Sequence, residues 1–191
     1  MTEKEALRKK YTLPDDYVLF LGNRDPKKNT LNTLKAFAKF AKLNDQVHLV
    51  VGDLDRSYID KCLPAATHQS VKERIVPVGY IDNKDLPGLL KLARVFLYTS
   101  LRESFGIPLL EGMGCGTPVI TSNTSSMPEI ADGAAQLVDP HSVNDIAGSL
   151  EKLWNNAALR EELSKKGLAR SINFDWAEMS YRYSILYSNV A

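Results

Sequence analysis

Six short runs of apolar residues recur along the chain, separated by longer mixed segments. Each run is too short for a helix and is rich in β-branched or aromatic side chains, which indicates a strand. The runs are Tyr17–Leu21, Val47–Val51, Ile75–Val78, Val95–Thr99, Val119–Thr121 and Ala135–Val138. Between them apolar residues recur at helical spacing, as at Leu31, Leu34 and Ala38. This alternation predicts an α/β fold, a doubly wound parallel sheet of six strands with helices on both faces.

After the sixth run the pattern indicates helices only. Ser142 is a suitable N-cap for the first of them, and a second is predicted from about Ala158 to Arg170. A third, closing helix is predicted over about 175–190. No internal repeat or flexible linker interrupts the pattern, so residues 1–191 are predicted to form one domain.

Charge and cysteine content narrow the possible functions. The 191 residues carry 24 Lys and Arg against 23 Asp and Glu, a net charge of +1, which gives no reason to expect a nucleic acid partner. Two cysteines, Cys62 and Cys115, are too few to hold a fold together. With no long apolar segment either, a cytoplasmic location is expected.

Ligands of a doubly wound sheet bind beyond the carboxyl ends of its strands, so the loops there matter most. The first such loop, residues 22–29, carries Arg24, Lys27 and Lys28 between a glycine and a predicted helix. Its position suits an anion, although a solvated loop with incidental charge would look the same. The glycine patterns of dinucleotide-binding and phosphate-binding loops are both absent from the sequence.

The loop after the fourth run leads into an apolar, glycine-rich stretch. Glu111 is the only charged residue between Ser104 and Pro128. A lone carboxylate in a packed element is costly unless a partner or ligand meets it. Pro108 suits the first turn of a helix there, and the free amides of that turn would make a second anion site.

Glu103 and Glu111 form a Glu-x7-Glu pair within residues 98–140, and this stretch carries a family resemblance. It resembles the donor-binding domain of retaining, nucleotide-sugar-dependent glycosyltransferases of the family 4 type. These enzymes have the GT-B fold, which consists of two Rossmann-like domains. Other segments resemble the same domain in the same order: YVLFLGNRDPKKNTLNTLKAF its phosphate loop, RIVPVGYIDNKDLPGLLKLA its nucleobase loop, and FDWAEMSYRYSILYSNV its closing helix.

The resemblance implies a role for individual residues. Glu111 would hold the ribose of the nucleotide, and Glu103 would contact hydroxyls of the transferred sugar. Lys28, with Arg24 beside it, would neutralise the departing diphosphate. The remaining contacts would come from the backbone: Phe105, Gly106 and Ile107 to the sugar and diphosphate, and Tyr80 and Ile81 to the base.

The resemblance also implies what the protein would bind and what it would lack. The donor would be a nucleotide-diphospho-hexose, GDP-mannose or a UDP-hexose, with no separate cofactor and no metal. An Asp53-x-Asp55 pair after the second run could hold a metal instead, but a capped, hydrated loop is the preferred interpretation.

Family members are about twice as long, because an N-terminal domain binds the acceptor. We therefore expect an isolated C-terminal domain with little or no transferase activity of its own. The missing domain would act in cis or in trans, and any peripheral membrane association would come only through it. Two alternatives stay open at this point: half of a sugar-nucleotide epimerase, and a non-catalytic subunit that binds a nucleotide sugar.

Overall fold

A computed structural model describes residues 2–63 and 65–188. Its described part contains six strands, which lie in one sheet. The strands are β1 (Tyr17–Leu21), β2 (His48–Gly52), β3 (Ile75–Gly79), β4 (Val95–Tyr98), β5 (Val119–Ser122) and β6 (Gln136–Val138). Every strand end lies within one residue of its prediction, which confirms the sequence pattern.

Helices connect and flank these strands. They are α1 (Glu3–Tyr11), α2 (Thr30–Ala41), α3 (Arg56–Cys62), α4 (Gln69–Glu73), α5 (Leu86–Leu92), α6 (Ile107–Gly114), α7 (Met127–Ala131), α8 (Val143–Asn155), α9 (Ala157–Ser171) and α10 (Trp176–Ser188). Short 3₁₀ turns precede α2, at Pro26–Lys28, and α10, at Ile172–Phe174. Within the described residues, no helix is both long and apolar enough to cross a membrane.

The strand order is β3-β2-β1-β4-β5-β6, and every neighbouring pair is parallel. The connections run outward in opposite directions from β1 and β4, so the order reverses between these two strands. Loops leaving the two strands diverge there and open a crevice at the carboxyl edge of the sheet. The predicted fold class, a doubly wound Rossmann-like sheet with C-terminal helices, is confirmed.

The sheet buries apolar side chains on both faces. Phe37 and Phe40 of α2 pack with Leu150 and Trp154 of α8 against one face. On the other face the core includes Phe96 of β4 and, from the helices that cover it, Leu90, Leu109 and Met113. Burial on both faces explains why the strands read as continuous apolar runs without alternation.

Local capping signals fix the ends of several helices. The Ser142 side chain accepts a hydrogen bond from the Asp145 amide, which confirms it as the N-cap of α8. Helix α1 was not predicted, yet Thr2 and Glu5 form a reciprocal capping box at its start. That box satisfies two of the free amides that otherwise destabilise a short helix.

The closing helix α10 begins where it was expected and is described to Ser188, so residues 189 and 190 of the prediction lie outside the described residues. Its large apolar side chains remain exposed: Trp176 at 79%, Tyr181 at 63% and Tyr187 at 69%. These side chains form an exposed apolar patch on the helix. The assignment of residues 1–191 to a single domain stays a prediction.

Helix α6 packs so closely on β4 that one of its residues has no room for a side chain. A Cβ atom added to Gly112 would lie 2.6 Å from Phe96 Cδ1, and Phe96 is fully buried. We expect Gly112→Ala to lower the free energy of unfolding by about 1–3 kcal/mol, since the core would be overpacked. Urea denaturation monitored by circular dichroism measures the change.

Gly148 of α8 provides the matched control, because a Cβ atom added there meets nothing within 4 Å. Gly148→Ala should stabilise the protein by roughly 0.5–1 kcal/mol through helix propensity alone. Equal effects of the two substitutions would refute the close packing of α6 on the sheet.

Candidate functional site

The loops after β1 and β4 meet in the crevice where the strand order reverses. The Leu101 amide donates to the Lys27 carbonyl at 2.7 Å, which joins the two loops through their backbones. Beside this bond, Lys28 Nζ donates to Glu103 Oε1, also at 2.7 Å. Two predicted site residues that are 75 positions apart therefore form one ion pair.

Asn29 fixes the position of this ion pair. Its backbone is left-handed, with φ 58°, and its buried side chain donates to the carbonyls of Thr99 at 3.0 Å and Pro140 at 2.7 Å. One amide group thus connects the ends of β1, β4 and β6. Because both contacts are buried, the loop that carries Lys28 is held in one position relative to the β4 loop.

Glu103 lies in an electrostatically favourable setting. Only 14% of its side chain and 18% of that of Lys28 are exposed. Burial acts to raise the Glu103 pKa, but Lys28 and the nearby hydroxyls of Ser100 and Tyr98 outweigh it, so the pKa lies below its ordinary value. The carboxylate is therefore ionised and held in place before any ligand arrives.

The start of α6 presents unused backbone donors. Gly106 is its N-cap with φ 105°, and a Cβ atom there would lie 2.4 Å from Met127 Cε, so glycine is required. In the described part of the chain, the amides of Phe105, Gly106 and Ile107 donate to no hydrogen bond. Ser126 holds this loop by donating to the carbonyls of Glu103 and Phe105. Free amides at a helix N-terminus make an anion site.

Glu111 has a different environment from Glu103. It lines a cavity of about 530 Å³ between α6 and α10, together with apolar side chains that include Leu110 and Phe174. Among the described residues its carboxylate has no hydrogen bond and no ion pair. Although the side chain reaches solvent, desolvation by its surroundings raises its pKa. Glu111 is a carboxylate without a partner.

Arg24 lies apart from the Lys28–Glu103 pair in this structure. Its guanidinium forms an ion pair with Asp55 and lies 5.2 Å from the Tyr58 ring centroid. The Asp55 carboxylate also caps α3 by accepting from the Tyr58 amide at 2.9 Å. The interpretation of this loop as capped is confirmed, and the assignment of Arg24 to the diphosphate stays a prediction.

Tyr80 and Ile81 follow β3 at the same edge of the sheet as the other site residues. Gly79 turns the chain there with φ 68°. Ile81 packs into the core, whereas 70% of Tyr80 is exposed. The structure brings together Lys28, Glu103 and the start of α6, and it places these two residues at the far side of the crevice, beyond β1 and β2.

Sequence reasoning missed three residues that shape the site. These residues are Asn29, Tyr98 and Ser126. A signal that could have pointed to them is the pair of polar residues directly after β4, Thr99 and Ser100. Buried hydroxyl and amide groups need partners, and at a strand end those partners come from neighbouring loops.

Comparison with known proteins agrees with this geometry. The family model described as glycosyl transferases group 1 matches residues 3–170. The chain belongs to this family. Over 180 residues it is 31% identical to the serotype-specific mannosyltransferase WbdA of Escherichia coli. This alignment covers 93% of the chain and 22% of WbdA. The chain is 32% identical over 161 residues to the O-antigen chain mannosyltransferase B of the same species, covering 84% of the chain and 42% of the relative.

Solved glycosyltransferase structures share the fold. The crystal structure of Anabaena HepE in complex with UDP and glucose has a TM-score of 0.80 at 19% identity. It aligns with 99% of this chain, which corresponds to 53% of HepE. The chain thus spans about half the length of this structural neighbour and less than half the length of both curated relatives.

The two glutamates should affect stability in opposite directions at about pH 7. Glu103→Gln removes a partly buried ion pair, so we expect a loss of about 1–3 kcal/mol in the free energy of unfolding. Glu111→Gln removes a charge that folding disfavours and should stabilise the ligand-free chain. Urea denaturation of both variants and the unaltered chain measures the two effects.

The two glutamates should also give stability opposite dependences on pH. The Glu103 pKa is lowered by folding, so its contribution exists above the unfolded pKa and is lost as pH falls through the folded one. The Glu111 pKa is raised, so its unfavourable contribution grows as pH rises through the folded value. Glu111→Gln that destabilises the chain at about pH 7 would contradict an unpartnered carboxylate.

Proposed function

We propose that the chain binds the nucleotide-diphospho-sugar donor of a retaining, metal-independent glycosyltransferase of the family 4 type. The observation that carries the proposal is that partnered and unpartnered polar groups lie around the same crevice. Glu103 is held by Lys28, whereas Glu111 and the amides of residues 105–107 have no partner within residues 2–63 and 65–188. Unpartnered acceptors and donors that surround a crevice together suit a ligand that is both hydroxylated and anionic.

The groups of the crevice match the parts of such a donor. The amides at the start of α6 and the Lys28 ammonium would bind the diphosphate. Glu111 would accept hydrogen bonds from the ribose hydroxyls, and Glu103 from hydroxyls of the hexose. Tyr80 and Ile81 would meet the base with their backbone groups, beyond β3.

These positions suit glycosyl transfer chemically. When the bond between the anomeric carbon and the diphosphate breaks, negative charge grows on the diphosphate oxygens. In the donor complex Lys28 and the positive end of α6 would lie at the diphosphate before this bond breaks, so they would stabilise that charge without further reorganisation. In the proposed mechanism the acceptor hydroxyl attacks from the face that the diphosphate leaves, and this retains the anomeric configuration.

The names of the relatives support a hexose donor, and two of them favour mannose. Both E. coli relatives are named mannosyltransferases. HepE is described with UDP and glucose, so the base is tested with guanosine and uridine nucleotides alike. More than half of each curated relative lies outside the part that matches this chain. We assign acceptor binding to a second domain of that kind, in cis or in trans.

Calorimetry with GDP, UDP, GDP-mannose and UDP-glucose tests donor binding, with and without EDTA. We expect metal-independent binding of one nucleotide family and at least a tenfold loss of affinity in Glu111→Gln, because the ribose hydroxyls lose a charged acceptor. Glu151→Gln, an exposed substitution on α8, is the control and should bind like the unaltered chain.

Two results would contradict the proposal. Failure of every nucleotide to bind, in a chain shown to be folded, would overturn the proposal. Release of a sugar inverted at one carbon, without any acceptor, would identify an epimerase instead.

Lys28 and its neighbour Lys27 provide a matched pair for the diphosphate contact. Lys28 is 18% exposed, whereas Lys27 is 48% exposed and lies 3.3 Å from Asp25. We expect Lys28→Gln to weaken binding of the nucleoside diphosphate by about 10–100-fold and Lys27→Gln by less than about threefold, since solvent screens the exposed charge. Titrations at low and high salt measure both. Equal losses would show that net charge, not a specific contact, binds the diphosphate.

A further inference from the structure

One buried hydroxyl next to the crevice has no hydrogen-bond partner. Tyr98 ends β4, is 1% exposed and stacks on Phe96 with ring centroids 5.9 Å apart. In the described part of the chain, its hydroxyl and Arg94 Nε are the two buried side-chain polar atoms left without a partner. Buried hydroxyls are almost always hydrogen-bonded, so this one needs an explanation.

Tyr17 shows that the fold can satisfy a tyrosine in a comparable position. It lies on the neighbouring strand β1, is fully buried in the same core, and donates its hydroxyl to the Leu89 carbonyl at 2.7 Å. The unpartnered state of Tyr98 is therefore not a general consequence of placing a tyrosine in this sheet.

The surroundings of Tyr98 consist of the charged groups of the crevice. Lys28 Nζ lies 5.3 Å from the Tyr98 ring centroid and is bonded to Glu103 Oε1. Burial raises the Tyr98 pKa, and the neighbouring Glu103 carboxylate raises it further. The hydroxyl keeps its proton at neutral pH. It lies close enough to Glu103 to lower the pKa of that carboxyl, yet it completes no hydrogen bond within the described residues.

If the proposed function holds, the Lys28 ammonium pairs with a different anion in each of two states. In the ligand-free chain its ammonium pairs with Glu103, and in the donor complex it faces the diphosphate. When it turns to the diphosphate, the Glu103 carboxylate loses its 2.7 Å donor while it remains largely buried. A buried carboxylate that loses its partner needs another hydrogen-bond donor.

We propose that Tyr98 is a positioning residue for Glu103: its hydroxyl donates to the Glu103 carboxylate when Lys28 turns to the donor. This inference rests on the proposed function and adds a residue to it. Tyr98 then keeps Glu103 ionised and aimed at the hexose, without touching the donor itself. The unpartnered hydroxyl of the free state is the donor held ready for the bound state.

The Glu103 pKa in ligand-free variants tests the inference without any nucleotide. Lys28→Met imitates the departure of the ammonium, and Tyr98→Phe removes the hydroxyl from either background. We expect Tyr98→Phe to raise the Glu103 pKa by at least about half a pH unit in the Lys28→Met chain, and by less when Lys28 is present. Carbon-13 NMR of labelled glutamate measures it, with the Glu103 signal assigned by its loss in Glu103→Gln.

Tyr17→Phe is the matched control, because it also removes one buried hydroxyl from this core. It should lower stability and leave the Glu103 pKa unchanged, whereas Tyr98→Phe removes no existing hydrogen bond and should fold normally. A Glu103 pKa that Tyr98→Phe does not raise in the Lys28→Met background, or raises no more there than with Lys28 present, overturns the inference.

Two further measurements keep the test decisive. If Tyr98→Phe did not fold, the Lys28→Met chain labelled at tyrosine Cζ would be titrated in its place. The Tyr98 signal must then follow the Glu103 titration, and the Tyr17 signal must not.

With donor, Tyr98→Phe should weaken binding of the nucleotide sugar about 3–10-fold more than binding of the nucleoside diphosphate. If no nucleotide binds at all, the proposed function fails, but the pKa comparison still decides the role of Tyr98.

Discussion

The ion pair between Lys28 and Glu103 joins the two halves of the sheet at the point where the strand order reverses. Loops on either side of this point diverge, so nothing in the sheet itself would hold them together. The side chain of Asn29 and the backbone bond from Leu101 to Lys27 supply that hold. The two loops of the crevice are therefore held in place before any ligand enters.

The two glutamates of the crevice show how stability and binding are divided. Glu103 has a partner, and folding lowers its pKa; Glu111 has none in the described part of the chain, and folding raises its pKa. The substitution at Glu111 that stabilises the free chain is therefore also the one expected to weaken nucleotide binding. Proteins commonly retain such unfavourable groups where a ligand supplies the missing interaction.

The fold could be predicted further than the site. Buried parallel strands leave a strong local signal, and all six were located to within one residue. Helix α1 was missed because its signal, the Thr2 and Glu5 capping box, is only a few residues long. The resemblance assigned Lys28 and Glu103 to one ligand, but their ion pair was not predicted; it forms because both residues follow strands at the reversal point. The pairing of Arg24 with Asp55 depends on side-chain directions that the sequence pattern does not contain.

Lys28 is the group on which both proposed states of the crevice depend. In the proposed donor complex the diphosphate competes with Glu103 for the Lys28 ammonium. Lys27 cannot take over, because its charge is half exposed and screened. A neutral donor such as the Tyr98 hydroxyl can replace Lys28 at Glu103 without competing for the diphosphate. The exchange leaves the positive charge where the leaving group develops its negative charge, and it leaves Glu103 bonded.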